Sequence, residues 1–165
     1  MKIVIRLFLL AAVVALGWWL WTVFFPSPER VVLKRMQSLA ELLTFKSDIS
    51  NLGRESRASE FTGYFSVDTE IVVDVPELGA HTLSGRDEVR EAGNGGFASA
   101  PSLSVSFLDA TVKIGPDKQT ADVSCTLKAS AGNDKDYGVQ ELRFQWKKIE
   151  GTWQITRAET VKTLR

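Results

Sequence analysis

Residues Tyr137–Val161 read YGVQELRFQWKKIEGTWQITRAETV. Leu142, Phe144 and Trp146 alternate with Glu141, Arg143, Gln145 and Lys147, the period-two signature of a strand with one dry and one wet face. After Glu150-Gly151 the pattern resumes with Trp153 and Ile155, so the stretch predicts two long antiparallel strands joined by a tight turn. A sheet with one apolar face needs a cover, and helical patterns upstream supply it.

The chain has 165 residues, room for one ordinary domain and an anchor. Its 20 Lys and Arg balance its 20 Asp and Glu, which argues against nucleic acid as a partner, since that would call for a basic face. A single cysteine, Cys125, excludes an internal disulfide and a cysteine-cluster metal site. In ADVSCTLKA it alternates with Val123 and Leu127 and reads as a buried strand thiol.

Ile3 to Phe25 is almost wholly apolar, broken only by Arg6, Gly17 and Thr22. As a helix it would span about 34 Å, enough to cross a hydrocarbon core of about 30 Å. Arg6 can snorkel to the headgroups at one end, and Trp18, Trp19 and Trp21 suit the interface at the other. A cleaved signal peptide fits less well, because the apolar run continues through large aromatics. The reading is residues 1–25 as a single-pass anchor, 26–28 as a linker and 29–165 as a domain. Lys2 and Arg6 mark the short tail as cytoplasmic, whereas Arg30, Lys34 and Arg35 just after the span pull the other way; a tail this short is most simply read with the domain on the outer side of the cell (inner) membrane.

Pro26-Ser27-Pro28 breaks the anchor, and Ser27 is placed to cap a new helix with Pro28 in its first turn. Val32, Met36, Leu39 and Leu43 follow at helical spacing, a core stripe. A second helix is expected from about Arg54 to Tyr64, a strand over Glu70–Val75, a turn at Pro76–Gly79 and a short returning strand over His81–Ser84. Gly85-Arg86-Asp87-Glu88-Val89 opens a third helix, which Gly93-Asn94-Gly95-Gly96 should end. Leu103–Ile114 and Gln119–Ala129 are two further strands around the turn Gly115–Lys118.

This order, with SGRDEV opening the third helix and FQWKKIEGTWQIT as the closing hairpin, resembles the nuclear transport factor 2-like (NTF2-like, SnoaL-like, cystatin-like) superfamily from about Pro28 to Leu164. The resemblance implies an α+β fold, a cone of curved antiparallel sheet wrapped on N-terminal helices. Enzymes of that superfamily work in the open mouth, whereas its binding modules use the mouth or the outer sheet face. It also implies a possible homodimer formed through the sheet. Fold alone does not choose among these.

Asp74 in VVDVPELG stands where the steroid-isomerase branch carries its general base, and a buried Asp there would abstract a proton next to a carbonyl. That branch also needs a Tyr on the first helix and a protonated Asp on a later strand, and the first helix here has no Tyr. His81, the one histidine, lacks the partners that a dehydratase-type site or a metal would need, so neither metal nor cofactor is expected. Phe107, Phe144, Trp146 and Trp153 are candidates to line the cone, and Glu141, Arg143 and Gln145 to form the outer sheet face. The function these readings favour is a membrane-anchored, non-catalytic domain that binds a protein partner or a small apolar ligand. The alternative is an isomerase or hydro-lyase with Asp74 as general base.

Overall fold

The computed structural model describes residues 27–75, 79–132 and 137–161, together with Val14, Leu16 and Gly17. From residue 27 onward the described chain forms helices α1 (Pro28–Leu43), α2 (Asn51–Thr62) and α3 (Gly85–Ser99). Its strands are β1 (Phe65–Val75), β2 (Gly79–Ser84), β3 (Leu103–Ile114), β4 (Thr120–Ala131), β5 (Tyr137–Ile149) and β6 (Thr152–Thr160). The strands make one curved sheet in the order β2-β1-β6-β5-β4-β3.

The hairpin that opened the reading holds the centre of that sheet. β5 and β6 pair antiparallel through a turn whose two residues, Glu150 and Gly151, have φ of 50° and 81°. Positive φ at both positions matches the right-handed twist of the strands it joins. Phe144, Trp146, Trp153 and Ile155 point inward and are buried with Val32, Met36 and Leu39 of α1. Burial of apolar area on this scale is the main force that holds helix to sheet.

Curvature comes from bulges. Between Gln145 and Trp146 the register with β6 slips by one residue, leaving Thr156 extra. β3 carries an extra residue between Leu108 and Thr111, where Asp109 adopts φ 52°. β1 shifts between Phe65 and Glu70. Each extra residue bends its strand and raises the local twist, so the sheet wraps round α1 instead of lying flat. The bulge in β1 also buries Ser66 and Thr69, whose hydroxyls lack a hydrogen-bond partner among the described residues.

Five expectations from the sequence need correction. The sheet is not wholly antiparallel, because β1 runs parallel to β6. β1 starts at Phe65, five residues before Glu70: the bulge interrupts the alternation on which the shorter reading rested. α2 starts at Asn51, with the Ser50 side chain accepting the Gly53 N–H, whereas Ser27 makes no such bond at α1. α3 does not stop at Gly93; it continues through Gly95 and Gly96 to Ser99.

That last extension has a visible cause. Phe97 is buried against Phe45 and Ala58, and Arg54 of α2 donates to the carbonyls of Phe97 and Ala100 at 2.5 and 2.7 Å. Three residues on, Arg57 donates to the carbonyls of Leu42 and Thr44 at 2.5 and 3.2 Å. One turn of α2 thereby satisfies carbonyls at the C-terminal ends of both neighbouring helices, groups that a helix cannot pair within itself. Arg57→Ala should therefore cost about 1–3 kcal/mol in a urea titration. Arg57→Lys should restore it only in part, because the shorter lysine side chain ends one bond short of the point from which Nη1 reaches both carbonyls.

Residues 1–25, read as the anchor, lie outside the described residues apart from Val14, Leu16 and Gly17. Among the described residues no helix is long and apolar enough to cross a membrane.

Candidate functional site

The strand-to-helix junction Ser84-Gly85-Arg86 fixes one wall of the cone. Gly85 turns the chain with φ 84°, a conformation other residues adopt only under strain. Arg86 then reaches back, its Nε and Nη2 donating to the Phe65 carbonyl at 2.9 and 2.6 Å. Asp87 and Glu88 suit the positive end of the helix dipole, and the Glu88 carboxylate accepts the Ser84 N–H at 2.6 Å. The start of α3 is thus pinned to the bulge of β1, and its inward face is set over the sheet.

Between α3 and the sheet lies an open cleft of about 230 Å3. Val89, Ala92, Gly93, Gly96 and Phe97 of α3 form one side. Ile71 of β1 and Leu83 of β2 form the other, with Leu43, Phe61 and Leu103 at the ends. None of these side chains is polar or titratable. The helix comes close because Gly93 has no side chain: a Cβ there would lie 3.0 Å from Phe61 Cδ1. At Gly96, by contrast, a Cβ would meet nothing within 4 Å. Phe61 and Phe97 meet nearly edge to face at 6.1 Å and 74°.

Asp74 is not among the residues lining this cleft. It sits on the straight part of β1, paired with Ala80, three positions after Ile71. Odd separation along a strand puts the two side chains on opposite faces. Its backbone N–H donates to Thr160 Oγ1 at 2.9 Å, a bond that ties β1 to β6. His81 lies on β2, at the sheet edge, and is exposed. Among the described residues no three His, Cys, Asp or Glu side chains are grouped to hold a metal ion.

The four aromatic candidates lie deeper than the cleft. Phe144, Trp146 and Trp153 are 6, 1 and 3 % exposed, and Phe107 packs on Phe144 at 5.8 Å and 86°. They fill the cone, and the cleft is walled by other residues. Cys125 is buried in the same core, and burial pushes its thiol up to about 11, well out of the nucleophilic range at neutral pH. Tyr64, also buried there, has its hydroxyl raised by desolvation against an opposing pull from Arg35.

Glu141, Arg143 and Gln145 are exposed together on the outer face of β5. Arg143 meets Glu159 at 3.4 Å, and Arg157 bridges Glu159 and Glu70, so a line of ion pairs crosses three strands. A shallow hollow lies beside it, lined by Thr111, Lys113, Asp122 and Ser124 as well as Arg143 and Gln145. Exposed pairs of this kind contribute about 0–1 kcal/mol each and mark a solvated surface.

The cleft and the aromatic filling sit inside a frame seen in other proteins. The architecture superposes on a proposed scytalone dehydratase from Novosphingobium aromaticivorans with a TM-score of 0.63, at 17 % identity over 82 % of this chain and 84 % of that one. A cystatin-like protein of unknown function from Nostoc punctiforme matches with a TM-score of 0.60, at 13 % identity over 80 and 88 %. An NTF2-like protein of unknown function from Pseudomonas putida gives 0.58, at 10 % identity over 80 and 87 %. The fold is cystatin-like. No family model matches the chain, and no curated protein does. At these identities the cystatin-like, NTF2-like likeness speaks for the architecture alone.

The cleft-lining glycines of α3 were legible in the sequence only as a stop signal. Nothing local distinguishes a glycine that ends a helix from one that lets a helix approach its neighbour. The Arg54 and Arg57 contacts carry no sequence signature either, since both join residues distant in the chain.

Proposed function

We propose that this protein is a membrane-held, non-catalytic cystatin-like domain whose open cleft takes a small, uncharged, apolar ligand. One observation carries the reading: all ten residues lining the cleft are apolar or glycine, with no acid, base or hydrogen-bonding side chain among them. A catalytic pocket needs polar groups converging on the reacting atoms, and a binding pocket for an apolar molecule does not. Asp74, on the opposite face of β1 from Ile71, is poorly placed to serve as a base for anything held there. A dry cavity of about 150 Å3 lined by Leu, Ile and Phe takes benzene. By the same measure, a cleft half as large again suits one or two rings or a short branched chain.

The test is 19F NMR of the full chain in detergent, titrated with 1-fluoronaphthalene and with its carboxylate derivative. The neutral compound should bind at least tenfold more tightly, since the charged one would lose hydration with no partner in the cleft. Equal affinity for both would sink the reading. Asp74→Asn should leave the neutral titration unchanged, whereas turnover of a carbonyl compound that disappears with Asp74→Asn would establish the isomerase alternative instead.

A further inference from the structure

The far end of the domain from the cleft has a character of its own. Thr44 and Phe45, which follow α1, are bonded to the start of β3: Phe45 exchanges backbone hydrogen bonds with Leu103 at 2.7 and 3.0 Å, and Thr44 Oγ1 accepts the Val105 N–H at 3.0 Å. α1 therefore runs antiparallel to β3. Part-way along its 16 residues, Arg35 Nε donates to the carbonyl of Trp153, the residue opposite Lys148, at 2.6 Å, so the N-terminal half of α1 lies towards the end of the sheet that holds the β3–β4 turn. That turn lies next to the β5–β6 turn, because the Lys148 N–H donates to the Gln119 carbonyl at 2.7 Å.

Three chain segments thus meet at one end, and their exposed charges are mostly of one sign. α1 contributes Arg30 and Lys34, the β3–β4 turn Lys118, and the β5–β6 end Lys147 and Lys148, all exposed. The acids at this end are Glu29, Asp117 and Glu150. Asp117 is turned back on its own loop, where it accepts the Gln119 and Thr120 N–H groups at 2.9 and 3.0 Å. Those bonds hold its carboxyl below the usual range. Lys113 is left out of the rim because it stands directly opposite Asp122. In a chain of zero formal charge, this excess lies where the apolar stretch 3–25 joins the domain.

We propose that this end is a lipid-facing rim, resting on anionic phospholipid headgroups and turning the apolar cleft towards the aqueous phase. The inference rests on the reading of residues 3–25 as an anchor. A tether that ends at residue 25, two or three residues before a helix, keeps the rim within a few ångströms of the headgroups. At that distance each basic side chain strengthens attraction to an anionic surface by about fivefold. Leu43 and Leu103, which line the cleft, lie at the opposite ends of α1 and β3 from the rim. The cleft would then draw its ligand from water and not from the bilayer core.

The experiment uses the full chain in nanodiscs of phosphatidylcholine alone or mixed in equal parts with phosphatidylglycerol, each doped with a nitroxide-headgroup lipid. A dye is placed at the rim by Gln119→Cys or at the cleft end by Asp48→Cys; buried Cys125 is left unlabelled. Quenching at the rim should rise at least threefold in the anionic discs and fall back in about 1 M salt, where the screening length is about 3 Å. The cleft-end dye should stay unquenched in both. Lys118→Glu/Lys147→Glu/Lys148→Glu, all exposed changes, should abolish the difference while far-UV circular dichroism stays the same. Rim quenching that ignores lipid charge and salt overturns the proposal. A chain that stays with neither kind of disc overturns the anchor reading itself.

Discussion

Trp146→Ala should lower the unfolding free energy by about 3–5 kcal/mol, a large fraction of the roughly 5–15 kcal/mol that a domain of this kind holds. The side chain is 1 % exposed and is the largest of those fully buried in the core. It stands directly across from Ile155, itself fully buried, so truncation would open a void between the two central strands and α1. Trp146→Phe should cost far less, about 1–2 kcal/mol, because most of the volume is kept. No hydrogen bond is lost in that change either, since the indole N–H has no acceptor among the described residues. Arg143→Ala, three positions earlier on the wet face, should stay within about 0.5 kcal/mol. Urea midpoints for the three variants, at unchanged m-value, test the set. A Trp146→Ala loss below about 1 kcal/mol would mean that Trp146 does not fill the cone.

The same hairpin explains what was legible in advance. Alternation through Leu142, Phe144 and Trp146 assigns the two faces of β5, because a central strand with one dry face must bury every second side chain. The two-residue turn was legible from Gly151, which takes positive φ without strain, although Glu150 at φ 50° stands where Asn, Asp or Gly is favoured. Bulges were not legible. Asp109 and Thr156 look like ordinary strand residues, and only the pairing partner reveals that each is one too many. The parallel pairing of β1 with β6 was hidden for a similar reason: strand direction is a tertiary property, and no residue in Phe65–Val75 encodes it.

The site divides along the same line. Exposure of Glu141, Arg143 and Gln145 follows from alternation alone. Assigning Phe107, Phe144, Trp146 and Trp153 to a cone lining put them on the correct face, but face does not tell filling from lining. That depends on how closely α1 approaches, which the size of Val32, Met36 and Leu39 decides jointly with the aromatics. Asp74 drew notice through its place before a Pro-containing turn. Its side-chain direction follows from counting three positions from Ile71, a count that becomes meaningful only once Ile71 is known to face inward.

Gly96→Leu should weaken binding of 1-fluoronaphthalene by at least tenfold while leaving the domain as stable as before, or more so. The two effects part because they act on different things. Within α3, glycine is a poor helix former, and replacing it by leucine favours the helix by up to about 1 kcal/mol. A Cβ at this position meets nothing within 4 Å, so the new side chain enters open space, and that space is the cleft. Four carbon atoms placed there would take up much of the room a bicyclic ligand needs and would cover Phe97 and Leu103. Gly95→Ala supplies the comparison. Its Cβ also meets nothing, but Gly95 does not line the cleft, so it should stabilise the helix and leave affinity unchanged. Gly93→Leu should behave in the opposite way to both, because its Cβ falls 3.0 Å from Phe61 Cδ1 and would push α3 away from α2, with stability and binding lost together. Thermal unfolding and 19F titration of the three variants separate these outcomes. A Gly96→Leu protein that binds the probe as well as the parent would place the ligand elsewhere, since that side chain and the ligand cannot share the cleft.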